Sequence, residues 1–390
     1  MSVPHEALDF ERPSIFRRIL PRDWAYFALM LAVGVIAHWQ YGHLMDRYDT
    51  GGLILAAASS AWLGWFWRPW QNYSIIVGAL ALFSIWIYGD DLTRGETNFW
   101  LNYIGSGQAG VMWMSVMLYL GTAAYMMSLF TRSDFPARAG AAFAWVGAGA
   151  GLMALLVRWR EIYLTDPSWG YIPVSNLYEV FILLALMTTL MYLYYEQRTG
   201  QRNMGAFVML VIAASVTFLL WYMWDRQAHE IEPLVPALNS WWMKIHVPTN
   251  FVGYGGFAIA AMLGVAYLFK HRFERTRPDA AITKRLPSKD ALDSVMYKSI
   301  AIGFAFFTIA TVLGAMWAAE AWGGYWTWDP KETWSLILWL TYASWLHMRF
   351  TKGWRGPVMA WWAIIGLFVT TFTFLGVNMF LSGLHSYGEL

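Results

Sequence analysis

Eleven long apolar runs, separated by short polar connections, constrain the fold of this 390-residue chain more than any other feature. A helix needs about 20 consecutive apolar residues to cross a bilayer. Only 13% of the residues are charged, against roughly 25% in soluble proteins. The runs lie at 24–43, 51–67, 73–88, 109–130, 139–157, 177–195, 204–224, 250–269, 297–318, 334–350 and 357–380. The sequence therefore predicts an all-α protein, a polytopic bundle of about eleven transmembrane helices.

The basic residues predict the orientation of this bundle. With eleven spans, 20 of the 27 lysines and arginines fall on the side of the N-terminus and 7 on the other side. Cytoplasmic loops of membrane proteins are enriched in lysine and arginine, so we expect a cytoplasmic N-terminus and a C-terminus outside. The first run lacks a cleavage site of small residues and is therefore predicted to be an anchor. The net charge of +2 follows from this topology and does not indicate nucleic-acid binding.

The motifs of the chain are weaker in its N-terminal part than in the rest, which indicates two regions. We predict an N-terminal accessory module of transmembrane helices at 1–108 and a core at 109–390, which contains an aromatic loop at about 319–334. The role of the accessory helices, and of His38 within them, stays open.

The chain contains no cysteine, so it has no disulfide and no thiolate metal site of its own. One interpretation is an accident of composition. The other is a protein that handles something thiol-reactive outside the cytoplasm and must not be trapped by it. Both stay open at this point.

The aromatic loop contains the segment WGGYWTWDPKETW at 322–334. Aromatic rings offer broad surfaces to a flat, apolar macrocycle. The rings that would supply these surfaces belong to Trp322, Tyr325, Trp326 and Trp328. Gly323 and Gly324 allow a ligand to approach the backbone closely. The composition of the loop therefore indicates a platform for a flat ligand.

Two histidines flank this loop on the predicted outer side, His246 before the eighth run and His385 after the last. Two imidazoles from facing elements can occupy both axial positions of a haem iron. A histidine beside tryptophans can also be an interfacial anchor, because amphipathic rings favour that layer. The pair together with the loop favours a haem site at the outer face.

The end of the same loop also has the pattern of a helix start. Asp329 is suited to the N-cap, Pro330 to the first helical position and Glu332 to the capping-box position. Asn176 and Glu179 have the same spacing at the start of the sixth run. Capping is compatible with a functional role, because a capped helix end also fixes the geometry of the loop before it.

His347 lies inside the tenth run, at a depth of roughly 20 Å for a helix rise of 1.5 Å per residue. Ionisable groups within a membrane are costly and usually functional. At that depth His347 cannot share an iron with His246 or His385, so two separate sites are expected if both bind haem. Arg158 and Arg160 lie on the outer side, where they could neutralise haem propionates or act as interfacial anchors. Lys331 is a weaker candidate for the same role.

Four segments together resemble the CcsA/ResC-type cytochrome c biogenesis family, the membrane subunit of the system II cytochrome c synthase. WGGYWTWDPKETW is similar to the tryptophan-rich WWD signature of haem-handling proteins. The other three segments are PVSNLYEVF at 173–181, IHVPTNFVGYGGF around His246 and LSGLHSYG around His385. The resemblance covers about residues 109–390, and the order of its motifs is highly specific.

The resemblance implies a role for each matching residue. His246 and His385 correspond to the two outward-facing histidines that ligate haem iron at the external site, and His347 to an intramembrane histidine that ligates haem on its way across the bilayer. The residues that match the WWD signature are Trp322, Trp326, Trp328 and Asp329. The family exports haem b and promotes thioether bonds between its vinyl groups and the CxxCH cysteines of apocytochrome c.

The resemblance also implies partners and a location. No partner sequence is fused to this chain, so a ResB/CcsB-like membrane subunit is expected as a separate protein, together with apocytochrome c and thiol-reducing proteins. The expected location is the bacterial inner membrane, with the WWD loop facing the periplasm. The alternatives are a haem exporter or chaperone without synthase activity, a system I-type haem-handling protein, and a scaffold whose aromatic loop docks a protein.

Overall fold

The computed structural model describes residues 19–385, and these residues form an all-helical bundle without a β-strand. Each of the eleven apolar runs corresponds to one long helix. The helices are α1 Pro21–Tyr41, α2 Arg47–Phe66, α3 Pro69–Tyr88, α4 Gly107–Ser128, α5 Phe135–Thr165, α6 Leu177–Thr199, α7 Gly205–Arg226, α8 Met243–Thr276, α9 Lys289–Trp322, α10 Pro330–Thr351 and α11 Pro357–Thr371. A π-helical segment, Phe372–Gly376, and a last turn, Val377–Phe380, continue α11. The predicted polytopic helical bundle is confirmed.

Eight of the described helices are long and apolar enough to cross a membrane by length and composition. They are α3 to α9 and α11 with its continuation. The remaining three predicted runs, in α1, α2 and α10, are helical at the expected places but are less apolar or more charged. The chain is therefore a multi-pass membrane protein.

The described residues fall into two compact units, one that ends at Ile76 and one that begins at Val77, so that the boundary lies within α3. In the first unit, the Asp23 carboxylate accepts hydrogen bonds from Gln71 Nε2 at 2.7 Å and from Arg68 Nη2 at 3.3 Å. These bonds tie the start of α1 to the start of α3. The predicted division at residue 108 stays a prediction.

In the second unit, α8 is the central helix. It packs against α6, α7, α9 and α11, and 78% of its membrane-spanning stretch is buried. Small residues allow helices in a membrane to approach closely, and Gly253 and Gly256 of α8 face Gly303 of α9. This packing determines how the N-terminal turn of α8, which carries His246, lies against α9.

Replacing Gly256 by alanine is expected to lower the free energy of unfolding by about 1–3 kcal/mol, the usual cost of overpacking. A Cβ at this position would lie 2.7 Å from the carbonyl oxygen of Ser299 and 3.0 Å from Cα of Gly303, and neither backbone atom can rotate away. The matched control is Gly78→Ala in α3, where a Cβ would meet nothing within 4 Å. Unfolding of both variants in detergent measures the difference. Equal stability of the two variants would contradict the close approach of α8 and α9.

Candidate functional site

One cavity brings together side chains that are far apart in the sequence. It lies between the N-terminal turns of α8 and α10, the C-terminal part of α9 and the segment after α11. Its empty volume is about 710 Å³, including its open mouth. The predicted site residues that line it are His246, Trp322, Tyr325, Trp326, Lys331 and His385. The structure thus places the two flanking histidines and three of the four predicted rings at a common cavity.

The imidazole of His246 is held in a defined orientation by α9. Its Nδ1 lies 2.9 Å from the carbonyl oxygen of Ala310. Because a carbonyl oxygen can only accept, Nδ1 carries the proton and the lone pair is left on Nε2. Trp317 packs edge-on against the ring at 5.6 Å between centroids. Gly314 makes room for the imidazole, since a Cβ there would lie 2.8 Å from its Cε1.

The imidazole of His385 is held in the same way by the start of α10. Its Nδ1 lies 2.9 Å from Oδ1 of Asp329. Trp322 packs against the ring at 4.6 Å between centroids. The other carboxylate oxygen of Asp329 accepts the backbone N–H of Leu384 at 2.7 Å. His385 therefore also has Nδ1 engaged and Nε2 left as the available nitrogen.

The protonation states of His385 and of its partner Asp329 are those of a metal-ligating histidine and its hydrogen-bond acceptor. Burial lowers the pKa of His385 below its ordinary value of 6.5, and the hydrogen bond with Asp329 offsets this only in part. Burial raises the pKa of Asp329, but hydrogen bonds from His385 and from the backbone amides of Lys331 and Leu384 outweigh it, so that the pKa lies below 3.8. At neutral pH a carboxylate thus accepts from a neutral imidazole, the arrangement that typically orients a metal-ligating histidine.

The two imidazoles suit the iron of a haem, whose other four ligands come from the porphyrin. Within residues 19–385, no group of three or more histidine, cysteine, aspartate or glutamate side chains could hold a metal ion by itself. Two neutral imidazoles with free Nε2 atoms can supply both axial ligands of a haem. The amino group of Lys331, which donates to the carbonyl oxygen of Phe374 at 3.0 Å and to Oδ1 of Asn378 at 2.9 Å, adds a hydrogen-bond donor to the cavity.

Three predicted site residues of the loop and of α10, Trp328, Asp329 and His347, are not among the residues that line the cavity, although Asp329 holds His385, which does line it. Trp328 is 67% exposed and has a positive φ of 61°, a backbone region that bulky residues rarely adopt. His347 lies 17 residues after Pro330, the first residue of α10, or about 25 Å further along the helix axis, and its side chain is exposed. The expected separation of His347 from the other two histidines agrees with this geometry, while the roles of Trp328 and His347 stay predictions.

The two arginines considered for propionate binding have other partners. Arg158 is buried and donates from Nε to Oε1 of Glu179 at 2.7 Å and from Nη1 to the carbonyl oxygen of His229 at 2.8 Å. Arg160 donates to Oδ1 of Asp90 at 2.8 Å. Neither arginine is among the residues that line the cavity. Their predicted contact with haem stays a prediction, and Lys331 is better placed for it.

The predicted helix starts are confirmed. Asp329 caps α10, and its backbone N–H donates to Oε2 of Glu332 at 3.2 Å in a capping box. Asn176 caps α6 through a hydrogen bond from the backbone N–H of Glu179 at 2.9 Å. The cap of α10 has a second consequence, because the same Asp329 side chain also holds His385.

Sequence reasoning missed several residues that build the site on α9. Ala310, Gly314 and Trp317 are spaced four and three residues apart, so they lie on one helix face, and all three contact His246. The spacing could have indicated this face, but not that it meets a histidine of α8. Asn250, one turn after His246 on α8, also lines the cavity and was missed.

Comparison with known proteins adds to this geometry. The family model described as cytochrome C assembly protein matches residues 174–385, which include the whole cavity. The cytochrome c biogenesis protein CcsA of Chlamydomonas reinhardtii is 39% identical over 250 residues, which cover 61% of this chain and 65% of that relative. CcsA of Parasynechococcus marenigrum is 37% identical over 268 residues, which cover 62% of this chain and 88% of the relative.

Among solved structures, the cytochrome c haem lyase CcmF has a similar fold. The TM-score is 0.54 at 22% sequence identity, and the match covers 69% of this chain and 46% of CcmF. At this identity the similarity concerns the arrangement of the helices.

Proposed function

This chain belongs to the cytochrome c assembly protein family and is of the CcsA type, and from that premise we propose that it holds haem b in the cavity between His246 and His385 for attachment to apocytochrome c. Its general function is cytochrome c biogenesis in a membrane. The proposed reaction is the formation of thioether bonds between the haem vinyl groups and the two cysteines of a CxxCH motif. The chain would therefore be a subunit of a holocytochrome c synthase.

The observation that carries the proposal is the matched environment of the two imidazoles. Each has its Nδ1 2.9 Å from an acceptor, the carbonyl oxygen of Ala310 for His246 and the carboxylate of Asp329 for His385. Each also packs against a tryptophan ring. Both rings line one cavity, which supports axial ligation of one iron through the two Nε2 atoms.

The rest of the cavity suits the other parts of a haem. Rings from the loop before α10 offer apolar surface to a porphyrin face; they belong to Trp322, Tyr325 and Trp326. We expect the ammonium group of Lys331 to neutralise a propionate, since a charge-assisted hydrogen bond of this kind is stronger than a neutral one.

The chemistry requires the thiol and the vinyl group to be held together. Fixing two reactants in the right geometry removes much of the entropic barrier to their reaction. The histidine of an incoming CxxCH segment would replace one axial imidazole, so release of the product becomes a ligand exchange. The absence of cysteine from this chain means that no internal thiol competes.

The proposal also includes the orientation of the chain in the membrane, a second haem position and the partner proteins. The distribution of basic residues supports a cytoplasmic N-terminus and a cavity that opens to the periplasm of a bacterial inner membrane. His347, far along α10 from the cavity and exposed on its helix, suits a second haem position whose other ligand comes from a ResB/CcsB-like subunit. Thiol-reducing proteins would keep the CxxCH cysteines reduced.

The proposal is tested with the complex of this chain and its ResB/CcsB-like partner. Haem and a reduced apocytochrome c are added, and the haem that stays on the apocytochrome after acid–acetone extraction is measured. We expect covalent haem with the CxxCH sequence and none when both cysteines are replaced by alanine. A complex that binds haem but forms no thioether would instead support the exporter or chaperone alternative.

Replacing Asp329 by asparagine is expected to weaken haem binding by about 10- to 100-fold, the usual cost of losing the partner of a metal-ligating histidine. Asparagine is as good an N-cap as aspartate, so α10 should still begin at Pro330. The amide, however, carries no charge to stabilise the Nδ1–H of His385. Haem titration of the purified variant measures the affinity, and an unchanged affinity would show that Asp329 acts only as a cap.

A further inference from the structure

Glu332 uses only one of its two carboxylate oxygens in the structure. Its Oε2 accepts the backbone N–H of Thr327 at 2.6 Å and that of Asp329 at 3.2 Å. Its Oε1 is buried and has no hydrogen-bond partner among the described residues. The residue is 7% exposed and lines the cavity between the two histidines.

Capping does not account for the second oxygen. A capping box needs one acceptor at this position, and glutamine supplies it as well as glutamate does. A buried polar atom without a partner costs free energy, and a buried charge costs more than a neutral group. The unpartnered Oε1, buried on a residue that lines the cavity, is therefore explained better by a group that it meets during the reaction than by the helix start.

The proposed reaction moves a proton, so the cavity must contain a group that can accept the proton and return it. Addition of a thiol to a vinyl group transfers hydrogen from sulfur to carbon. We propose that Glu332 is a catalytic residue that takes this proton from the cysteine thiol on Oε1 and returns it to the vinyl group. The inference rests on the proposed thioether synthesis and adds the group that moves the proton.

The step balances without an oxidant or a reductant. The S–H bond breaks and its proton goes to Oε1 of Glu332, which leaves a thiolate. The sulfur electron pair forms the C–S bond, and the vinyl π pair moves to the other vinyl carbon, which takes the proton back from Oε1. One S–H bond and one C=C π bond are lost, one C–S bond and one C–H bond are formed, and the carboxylate is regenerated.

Three other polar side chains at or beside the cavity, those of Lys331, Asp329 and Asn250, are less suited to this task. The amino group of Lys331 already donates to two acceptors. Both oxygens of Asp329 accept hydrogen bonds, from His385 and from Leu384. Asn250 also has an unpartnered oxygen, Oδ1, but an amide is too weak a base to take a proton. A positioned acid–base group of this kind typically contributes about 10²- to 10⁴-fold to a rate.

Glu332→Gln tests the inference, because glutamine keeps the cap acceptor and removes the base. The matched control is Glu320→Gln. Glu320 is an exposed residue near the end of α9, its carboxylate accepts hydrogen bonds from Ser240 and Trp242, and it does not line the cavity. The complex with the ResB/CcsB-like partner is loaded with haem, and both the haem spectrum and the rate of thioether formation on apocytochrome c are measured. We expect Glu332→Gln to keep the wild-type spectrum and to lose at least about 100-fold in rate, and Glu320→Gln to keep both.

The other outcomes separate this inference from the proposed function. An unchanged rate in Glu332→Gln would overturn the inference and leave the synthase proposal intact. Loss of haem binding in Glu332→Gln would overturn it as well, because it would assign the side chain to the structure of the site. Absence of haem attachment by the wild-type complex would contradict the proposed function itself.

Discussion

Replacing His246 or His385 by glycine is expected to lower the yield of holocytochrome c by more than about 100-fold. Removing even a hydrogen-bonding partner of a metal ligand costs about 10- to 100-fold in affinity or activity, and here the ligand itself is lost. Glycine leaves a space of the size of an imidazole next to Gly314 in the first case and next to Trp322 in the second. Imidazole added to the medium should therefore restore part of the yield.

The matched control is His271→Gly, at the opposite end of α8 from His246. Its imidazole stacks on Tyr267 and is not among the residues that line the cavity. We expect a wild-type yield from this variant and no response to imidazole. Full cytochrome assembly in both the His246→Gly and His385→Gly strains would remove the pair from the mechanism.

Replacing Arg158 by methionine is expected to destabilise the protein by about 3–5 kcal/mol, the usual cost of leaving one partner of a buried ion pair alone. The side chains of Arg158 and Glu179 are 6% and 0% exposed, and their N and O atoms are 2.7 Å apart. The variant would also leave the carbonyl oxygen of His229 without its donor. Chemical unfolding in detergent measures the loss.

Two further variants check the physical reason for this loss. Adding Glu179→Gln to Arg158→Met removes the lone charge and should restore most of the stability, since replacing both partners of a buried pair is often neutral. Arg160→Met, two residues away, breaks a pair whose aspartate, Asp90, is 98% exposed, and little change is expected because exposed pairs contribute little. Equal stability of the single variant Arg158→Met and the double variant would contradict the buried-charge explanation.

Features encoded by short-range patterns were predictable from the sequence. The eleven helices follow from the apolar runs, and the start of α10 follows from the order of Asp329, Pro330 and Glu332 within four residues. The pairing of His246 with His385 at one cavity was expected from the motifs that surround them, and the cavity is consistent with it.

Features that depend on how helices pack were not predictable in this way. Arg158 was considered for propionates, but it pairs with Glu179, which is 21 residues away on the next long helix. The contact of His246 with Ala310 spans 64 residues and depends on the close approach of α8 and α9. The spacing of Glu332 predicted a cap and gave no indication that the residue would line the cavity with its second oxygen buried and without a partner among the described residues.

The central claim is that the Nε2 atoms of His246 and His385 ligate one haem iron. Its most direct test is a haem titration of purified protein that carries His347→Ala, so that the second proposed haem position cannot contribute to the optical spectrum. The prediction is one equivalent of low-spin, bis-histidine haem, lost when either His246 or His385 is also replaced by glycine. A high-spin spectrum, or a low-spin spectrum that survives both glycine replacements, would contradict the claim.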